Sequence, residues 1–385
     1  MLKTRVVLLI PTLDRSGAEK QFALLATRLP RTEFDVRTIA LTRSGPYAED
    51  LHAAGIPLAV IGKRSKFDPF SLWRLRAELK RQNPQILHTW LFAANAYGRL
   101  CASAIPRTKI VVSERCIDSW KAAWQLWLDR RLISCTDRLV GNSPGVVEFY
   151  RGLGVPSQKL VYIPNGIDVP ADSGTSGSMT LPRTREQILA ELNLPPDSFV
   201  AGFVGRLAKQ KRVEDLIWAV ETLRQIRPQL RLVIVGDGPE RQHLEQLAAD
   251  VQCADSVRFL GHRNDASELF KAFDVFCLPS CFEGMSNSLM EAMVASRAVI
   301  ASDIPPNREL VVQGETGFLF KPGDSVGVMQ FLRRLMDDPE LSARFGRAGR
   351  ERIERDFSSQ SMVNGYAELY RSLISSTDSA SHSYS

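Results

Sequence analysis

The chain is predicted to fold as two α/β domains, each a doubly wound parallel sheet, facing one another across a cleft. Three observations carry this prediction. Short apolar runs alternate with amphipathic stretches through residues 1–168. A low-complexity stretch, Ala171-Asp-Ser-Gly-Thr-Ser-Gly-Ser178, then interrupts the pattern and reads as a solvated loop. The same alternation restarts near Phe199. Strands joined by helices of this length imply a parallel sheet covered on both faces. Two such runs in 385 residues fit two Rossmann-like domains of ordinary size.

The first strand is expected at Val6–Ile10. Its five apolar residues, ended by Pro11, are too few for a signal-peptide core. Gly17–Leu29 reads as a helix, because Phe22, Leu25, Ala26 and Leu29 recur at i, i+3, i+4 and i+7. Further strands are expected at Val36–Leu41, Leu58–Ile61, Ile86–His88, Ile110–Ser113 and Arg138–Gly141. In the second half, strands are expected at Phe199–Val204, Leu230–Val235, Val257–Leu260, Val275–Leu278 and Ala298–Ala301. Helices between them are expected at Val213–Ile226, Glu240–Asp250, Ala266–Phe273 and Asn287–Ala295. The domains therefore fall at 1–168 and 197–357, with 169–196 as a linker. A helix over 358–374 is expected to pack back on the first domain, and the Ser-rich residues 375–385 are expected to be a disordered tail.

Composition narrows the function classes. With 44% apolar and 24% charged residues, the chain is of the ordinary globular class. No apolar run reaches the roughly 18 residues of a membrane span. Six scattered cysteines without a C-x-x-C pair suit reduced thiols rather than a metal site or a disulfide framework. Charge is divided unevenly: residues 1–168 carry 25 Lys and Arg against 14 Asp and Glu, while the rest carry 24 against 29. The basic half is suited to an anionic membrane surface or an anionic acceptor. It carries no recognisable nucleic-acid motif, so nucleic acid is not expected as a partner. A cytoplasmic location follows, at the inner face of the cell membrane.

In doubly wound sheets, ligands sit beyond the carboxyl ends of the strands. After the first strand come Ser16, Gly17 and Glu19, a capping-box pattern at a helix start. The plain reading is a capped helix; the functional one is a phosphate held at the helix N-terminus, where Gly17 lets it approach the backbone. After Phe199–Val204 come Gly205-Arg-Leu-Ala-Lys-Gln-Lys-Arg212, four of eight residues basic. A solvated turn would explain some of these charges, but Arg206 and Lys211 at a strand end can also hold a diphosphate. After Val275–Leu278 comes Pro279-Ser-Cys-Phe-Glu-Gly-Met-Ser-Asn-Ser-Leu-Met-Glu291. Ser286 can cap a helix beginning near Asn287. Glu283 and Glu291 then flank a helix N-terminus and can hold both ends of one phosphate-bearing ligand. The plain alternative for Glu291 is a surface ion pair.

Five segments in order carry a resemblance. They are Ser16-Gly-Ala-Glu19, Ile163-Pro-Asn-Gly-Ile-Asp168, Phe203-Val-Gly-Arg-Leu-Ala-Lys-Gln-Lys211, Leu232-Val-Ile-Val-Gly-Asp-Gly-Pro239, and the Glu-x7-Glu of Glu283 and Glu291. Together they resemble the family-4 glycosyltransferases of GT-B fold. The resemblance implies a retaining transferase that uses a nucleotide-diphosphate sugar, UDP- or GDP-linked. It implies that Arg206 and Lys211 bind the donor diphosphate, that Glu283 contacts the donor sugar and that Glu291 holds the ribose. It places Gly17 and the N–H groups near Ser286 and Asn287 against phosphate and Arg263 near the base, and Ser16, Gly205 and Gly236 are further expected donor-binding residues. The sequence departs from the family at three positions. Ser16 stands for the first glycine of Gly-Gly-Ala-Glu, and Arg212 for the glycine after the lysine. Trp90 stands where many members have the second histidine of His-x-His, which leaves His88 as the substitute catalytic histidine.

These residues imply front-face substitution at the anomeric carbon. Arg206, Lys211 and helix N–H groups would stabilise the leaving diphosphate, which itself takes the acceptor proton. No Asp-x-Asp is present, so no metal is expected, and no cofactor beyond the donor. The expected acceptor is a glycan or a lipid-linked sugar, in cell-envelope polysaccharide or glycolipid synthesis. Two other classes stay open: a nucleotide-sugar binding protein without catalysis, and a nicotinamide oxidoreductase. The second would need a Gly-rich fingerprint after a strand, which the sequence lacks.

Overall fold

A computed structural model describes residues 3–65, 68–117, 121–170 and 183–381, with side chains through 375. The low-complexity stretch at 171–178 lies outside the described residues, as do Lys66, Phe67, Trp120 and residues 382–385. The chain divides into two compact units, Met1–Gly166 with Ser359–Ser385, and Ile167–Ser358.

The sheet of the first unit holds β1 (Thr4–Ile10), β2 (Phe34–Ala40), β3 (Leu58–Val60), β4 (Ile86–Trp90), β5 (Lys109–Glu114), β6 (Arg138–Gly141) and β7 (Leu160–Tyr162). Their order is β3-β2-β1-β4-β5-β6-β7, with every pair parallel. The apolar run of β1 is continuous because both of its faces are covered. Val6, Leu8 and Ile10 pack with Phe22, Leu25 and Val36, whereas Val7 and Leu9 pack with Leu75, Leu79 and Leu87. That division is the two-residue period of a strand.

The second unit holds β8 (Phe199–Val204), β9 (Leu230–Val235), β10 (Val257–Gly261), β11 (Val275–Leu278), β12 (Ala298–Ser302) and β13 (Phe318–Phe320). Their order is β10-β9-β8-β11-β12-β13, again all parallel. Both sheets thus reverse order once, between β1 and β4 and between β8 and β11.

Several boundaries differ from the sequence reading. The three-residue strands β7 and β13 were not expected. The expected linker carries a helix, Arg185–Glu191, capped by Thr184. Its Ile188 and Leu189, with Leu192 and Leu194, are buried in the second unit's core, so this segment belongs to that unit. The last helix is Ser359–Ser381, and it runs on through residues expected to be a disordered tail. Its Met362, Val363, Tyr366, Ala367 and Tyr370 complete the core of the first unit. All six cysteines are unbridged; Cys101, Cys253 and Cys277 are buried, while Cys281 is exposed.

Candidate functional site

In the second unit the order reversal places the carboxyl ends of β8 and β11 side by side. Ligands of such doubly wound sheets bind beyond the strand ends at this reversal. The loop after β8 and the loop after β11 are tied together. The Cys281 N–H donates to the Gln210 carbonyl at 2.8 Å. The Gln210 amide donates to the Phe282 carbonyl at 3.5 Å. The Lys211 ammonium donates to the Glu283 carboxylate in an ion pair whose side chains keep only 13% and 10% exposure. Two residues singled out separately by sequence are thus direct partners in a nearly dry setting.

Backbone packing around this pair explains the glycines. Gly236 has φ 132°, and a Cβ there would lie 1.9 Å from the Gly205 carbonyl oxygen. Only glycine permits that approach. The Gly205 N–H donates to Val235 and the Gly236 N–H to Gly261, so the ends of β8, β9 and β10 form one continuous floor. Arg212 holds φ 47° at the place where the family has glycine, and its guanidinium pairs with Asp215 at 2.7 Å. This arginine is therefore anchored rather than offered to a ligand. Arg206 is exposed and makes no ion pair among the described residues.

The helix Asn287–Val294 begins directly after this loop. The Ser286 hydroxyl accepts the Leu289 N–H at 3.3 Å, as the cap pattern predicts. The positive end of the helix dipole thus opens at the carboxyl end of β11. Glu291 is half-buried in the second turn. Arg263 is held elsewhere. It pairs with Asp265 at 2.8 Å and with Glu191 at 2.6 Å, and it shares no partner with Lys211 or Glu283. Arg263, first, and Arg183 hold the Asp265 carboxyl well below the usual carboxylate range. Among the described residues, no group of three or more His, Cys, Asp or Glu is arranged to hold a metal.

In the first unit, Ser16 and Gly17 are exposed at the start of the helix Gly17–Arg28. The expected capping box does not form. The Ser16 hydroxyl donates to the Glu19 carboxylate and accepts no capping backbone N–H. Burial pushes the Glu19 pKa upward.

His88 requires a correction as a catalytic residue. β4 continues to Trp90, so His88 lies two positions short of the strand end and is fully buried. Its Nδ1 bonds the Tyr370 hydroxyl at 2.6 Å and its Nε2 bonds the Ser113 hydroxyl at 2.7 Å. Burial, and then the nearby Arg115 charge, push its pKa well below the usual value, so the ring is neutral. With both nitrogens engaged in the core, it is not offered as a base. Trp90 is buried as well, and Arg115 stacks on its ring at 3.8 Å. Arg115, Tyr366 and Tyr370 escaped the sequence reading. Arg115 was within reach of it, since it directly follows a strand.

Residues 15–170 match the family model described as Glycosyltransferase Family 4, and residues 184–352 match Glycosyl transferases group 1. The lipopolysaccharide core biosynthesis glycosyltransferase LpsD of Rhizobium meliloti is 27% identical over 92% of this chain and 94% of its own. The UDP-Gal:alpha-D-GlcNAc-diphosphoundecaprenol alpha-1,3-galactosyltransferase of Escherichia coli is 29% identical over 97% of both chains. The crystal structure of Anabaena HepE in complex with UDP and glucose superposes with a TM-score of 0.83 at 20% identity, covering 96% of this chain and 100% of that one. The two Rossmann-like units are those of the GT-B fold. With one family model on each unit and relatives matched along almost their whole length, the chain belongs to the family-4 glycosyltransferases.

Proposed function

We propose that this glycosyltransferase moves a hexose or N-acetylhexosamine from a nucleotide-diphosphate sugar to a glycan or lipid-linked acceptor. The reaction retains the anomeric configuration and uses neither metal nor cofactor. The observation that carries the reading is the Lys211–Glu283 pair at the switch point of the second sheet, beside the N-terminus of Asn287–Val294. A UDP-linked donor is favoured over a GDP-linked one. HepE has been crystallised with UDP-glucose, and the Escherichia coli relative is named for UDP-Gal. Relatives named for lipopolysaccharide core biosynthesis support a role in the cell envelope.

The chemistry follows from charge. A diphosphate entering this site attracts Lys211 and Arg206. One unit charge pair at 4 Å contributes about 4 kcal/mol at an effective dielectric near 20. Glu283, relieved of its lysine, accepts hydroxyls of the donor sugar, while Glu291 accepts those of the ribose. The bond from the anomeric carbon to the phosphate oxygen breaks, and negative charge grows on that oxygen. Lys211, Arg206 and the helix N-terminus answer it with fixed positive charge. The acceptor oxygen bonds to the same face of the carbon, and its proton passes to the leaving phosphate oxygen. Glu283 positions the sugar and does not attack it, unlike the nucleophile of a retaining glycosidase.

The acceptor is met at an anionic membrane surface in this reading. Phe70 and Trp73 are 77% and 71% exposed on the helix Pro69–Gln82, with Lys80 and Arg81 exposed about two turns beyond Trp73. Trp124 and Trp127 are exposed on the helix Ala123–Arg131. No helix among the described residues is long and apolar enough to cross a membrane.

The test is donor binding and turnover together. UDP-glucose should raise the melting temperature more than GDP-mannose, and NADH should leave it unchanged. UDP release with a cell-envelope acceptor should persist in excess EDTA. Release restored only by Mg²⁺ or Mn²⁺ would refute the metal-free reading. Binding without any release across acceptors would favour a binding protein.

A further inference from the structure

The first unit has its own order reversal, and the ends of β4, β5 and β6 beside it hold groups that the donor chemistry does not use. Arg115 directly follows β5 and is only 8% exposed. Its Nε, Nη1 and Nη2 are all buried without a hydrogen-bond partner among the described residues. The Trp90 ring covers its face at 3.8 Å, and the groups acting on its charge are the neutral Tyr366 and Tyr370 hydroxyls, so the guanidinium faces no anion among the described residues.

Two buried carboxylates of the same unit, Glu114 and Asp129, serve other cations. Glu114, its neighbour in sequence, accepts from the Asn95 amide at 2.9 Å and from Lys121 at 3.4 Å. Asp129 is held by Arg99 and, at 3.1 Å, by Lys121. Arg99, Lys121, Glu114 and Asp129 are buried and paired with one another, whereas buried Arg115 makes no ion pair among the described residues. A buried charge without a partner is costly unless a counter-ion arrives.

One strand over, Asn142 follows β6. Its amide donates to Asn165 Oδ1 at 3.2 Å and to the Arg115 carbonyl at 3.5 Å. Its own Oδ1 is buried and receives no donor among the described residues. The backbone is strained at the same edge, where Leu91, a non-glycine residue, holds φ 68° directly after Trp90.

We propose that the carboxyl ends of β4, β5 and β6 form a second anion site that takes the phosphate of a phosphate-linked sugar acceptor. Arg115 binds the phosphate, and Asn142 Oδ1 accepts a hydroxyl of the attached sugar. The guanidinium fork matches phosphate oxygens as a bidentate donor. A buried guanidinium that faces no anion, next to an acceptor that receives no donor, suits a ligand with an anion next to a hydroxyl. This identity for the ligand rests on the glycosyl-transfer reading, whereas the anion site can be measured without turnover.

The test uses the full chain carrying Arg206→Ala and Lys211→Ala, so that the proposed donor site takes no diphosphate. Three probes are titrated by calorimetry: inorganic pyrophosphate, N-acetylglucosamine linked through diphosphate to a short prenyl chain, and methyl N-acetylglucosaminide. The first two should bind at one site and weaken tenfold or more on adding Arg115→Gln. Adding Asn142→Ala should weaken the diphosphate sugar threefold or more and leave pyrophosphate unchanged. The phosphate-free glycoside should bind at least tenfold more weakly than the diphosphate sugar. Equal pyrophosphate affinity with and without Arg115→Gln would overturn the site. A phosphate-free glycoside that binds as tightly as the diphosphate sugar would overturn the ligand class. Folding is checked with Arg115→Met, which should melt at or above the parent temperature and lose the rise that pyrophosphate gives the parent. A large fall in melting temperature with that rise intact would make Arg115 structural and overturn the proposal. UDP release by the unsubstituted chain is scored separately. Arg115-dependent pyrophosphate binding without any UDP release would support the anion site and sink the proposed function instead.

Discussion

Lys211 and Glu283 neutralise each other in a nearly dry setting, and in the proposed reaction a donor diphosphate competes for the lysine. Removing the lysine leaves the growing negative charge of the leaving group with one answer fewer. Lys211→Ala should therefore lower kcat a hundredfold or more at saturating donor, read as UDP released per enzyme. The two glutamates should separate kinetically. In the proposed reaction Glu291 holds the ribose equally before and during the chemical step, so Glu291→Gln should mainly raise the donor KM. Glu283→Gln should mainly lower kcat, because it orients the carbon that reacts. The reverse pattern would exchange their roles. Lys211, Glu283 and Ser286 were legible in the sequence because each lies a few residues beyond a strand with a strong apolar signal. Arg115 was legible by the same rule of position, directly after β5, but its burial against Trp90 and its lack of an ion pair among the described residues were not. Burial misled the reading of His88: nothing in Ile86-Leu-His-Thr-Trp90 tells that the strand runs two residues further.

At the scale of elements, His88 acts as a fastener. It joins β4 to Ser113 on β5 and to Tyr370 on the helix Ser359–Ser381, while Tyr366 on the same helix lies 3.2 Å from Ser113. His88→Ala would leave a cavity and two buried hydroxyls short of a partner, at a cost of about 3 kcal/mol. The pH dependence has a definite sign. The folded pKa lies well below the usual value of 6.5, so the unfolded chain takes up a proton that the folded one refuses. Stability from this group is complete above about pH 6.5 and falls as the pH drops below it. Denaturant unfolding at pH 7 and pH 5 should show a smaller loss for His88→Gln than for the unsubstituted chain. An equal loss would mean that His88 is not what the acid attacks. The long elements were readable from periodicity, the short ones less so. β7 and β13 have three residues each, too few for a period to repeat. The helix Arg185–Glu191 follows a stretch of low complexity, and its tie to the second core depends on Ile188 and Leu189, which look unremarkable in a polar context.

For the whole molecule, charge and aromatic exposure point the same way. The surplus of 11 positive charges lies in residues 1–168, and the second half is net acidic. Residues 63–81 contribute Lys63, Arg64, Lys66, Arg74, Arg76, Lys80 and Arg81 against Asp68 and Glu78. Asp68 is committed to the cap of Pro69–Gln82, where it accepts from the Ser71 hydroxyl and from backbone N–H groups. Those bonds hold its pKa down to about 2. On that helix Phe70 and Trp73 stand out into solvent, where a soluble surface gains nothing from them. An aromatic face with basic flanks is suited to the interface of an anionic bilayer. Each basic residue near such a surface contributes about 1 kcal/mol, and salt screens it within roughly 10 Å. The chain should therefore co-sediment with vesicles containing phosphatidylglycerol at low salt, and not with neutral phosphatidylcholine vesicles. Binding should fall steeply at high salt. Lys63→Glu with Arg64→Glu should weaken it through charge, and Phe70→Ser with Trp73→Ser through lost insertion, with UDP-glucose affinity unchanged in both. The two pairs should differ in salt response: the aromatic variant keeps a steep dependence, whereas the charge variant loses it. Failure to bind anionic vesicles at low salt would move the acceptor into solution and leave Phe70 and Trp73 for another partner.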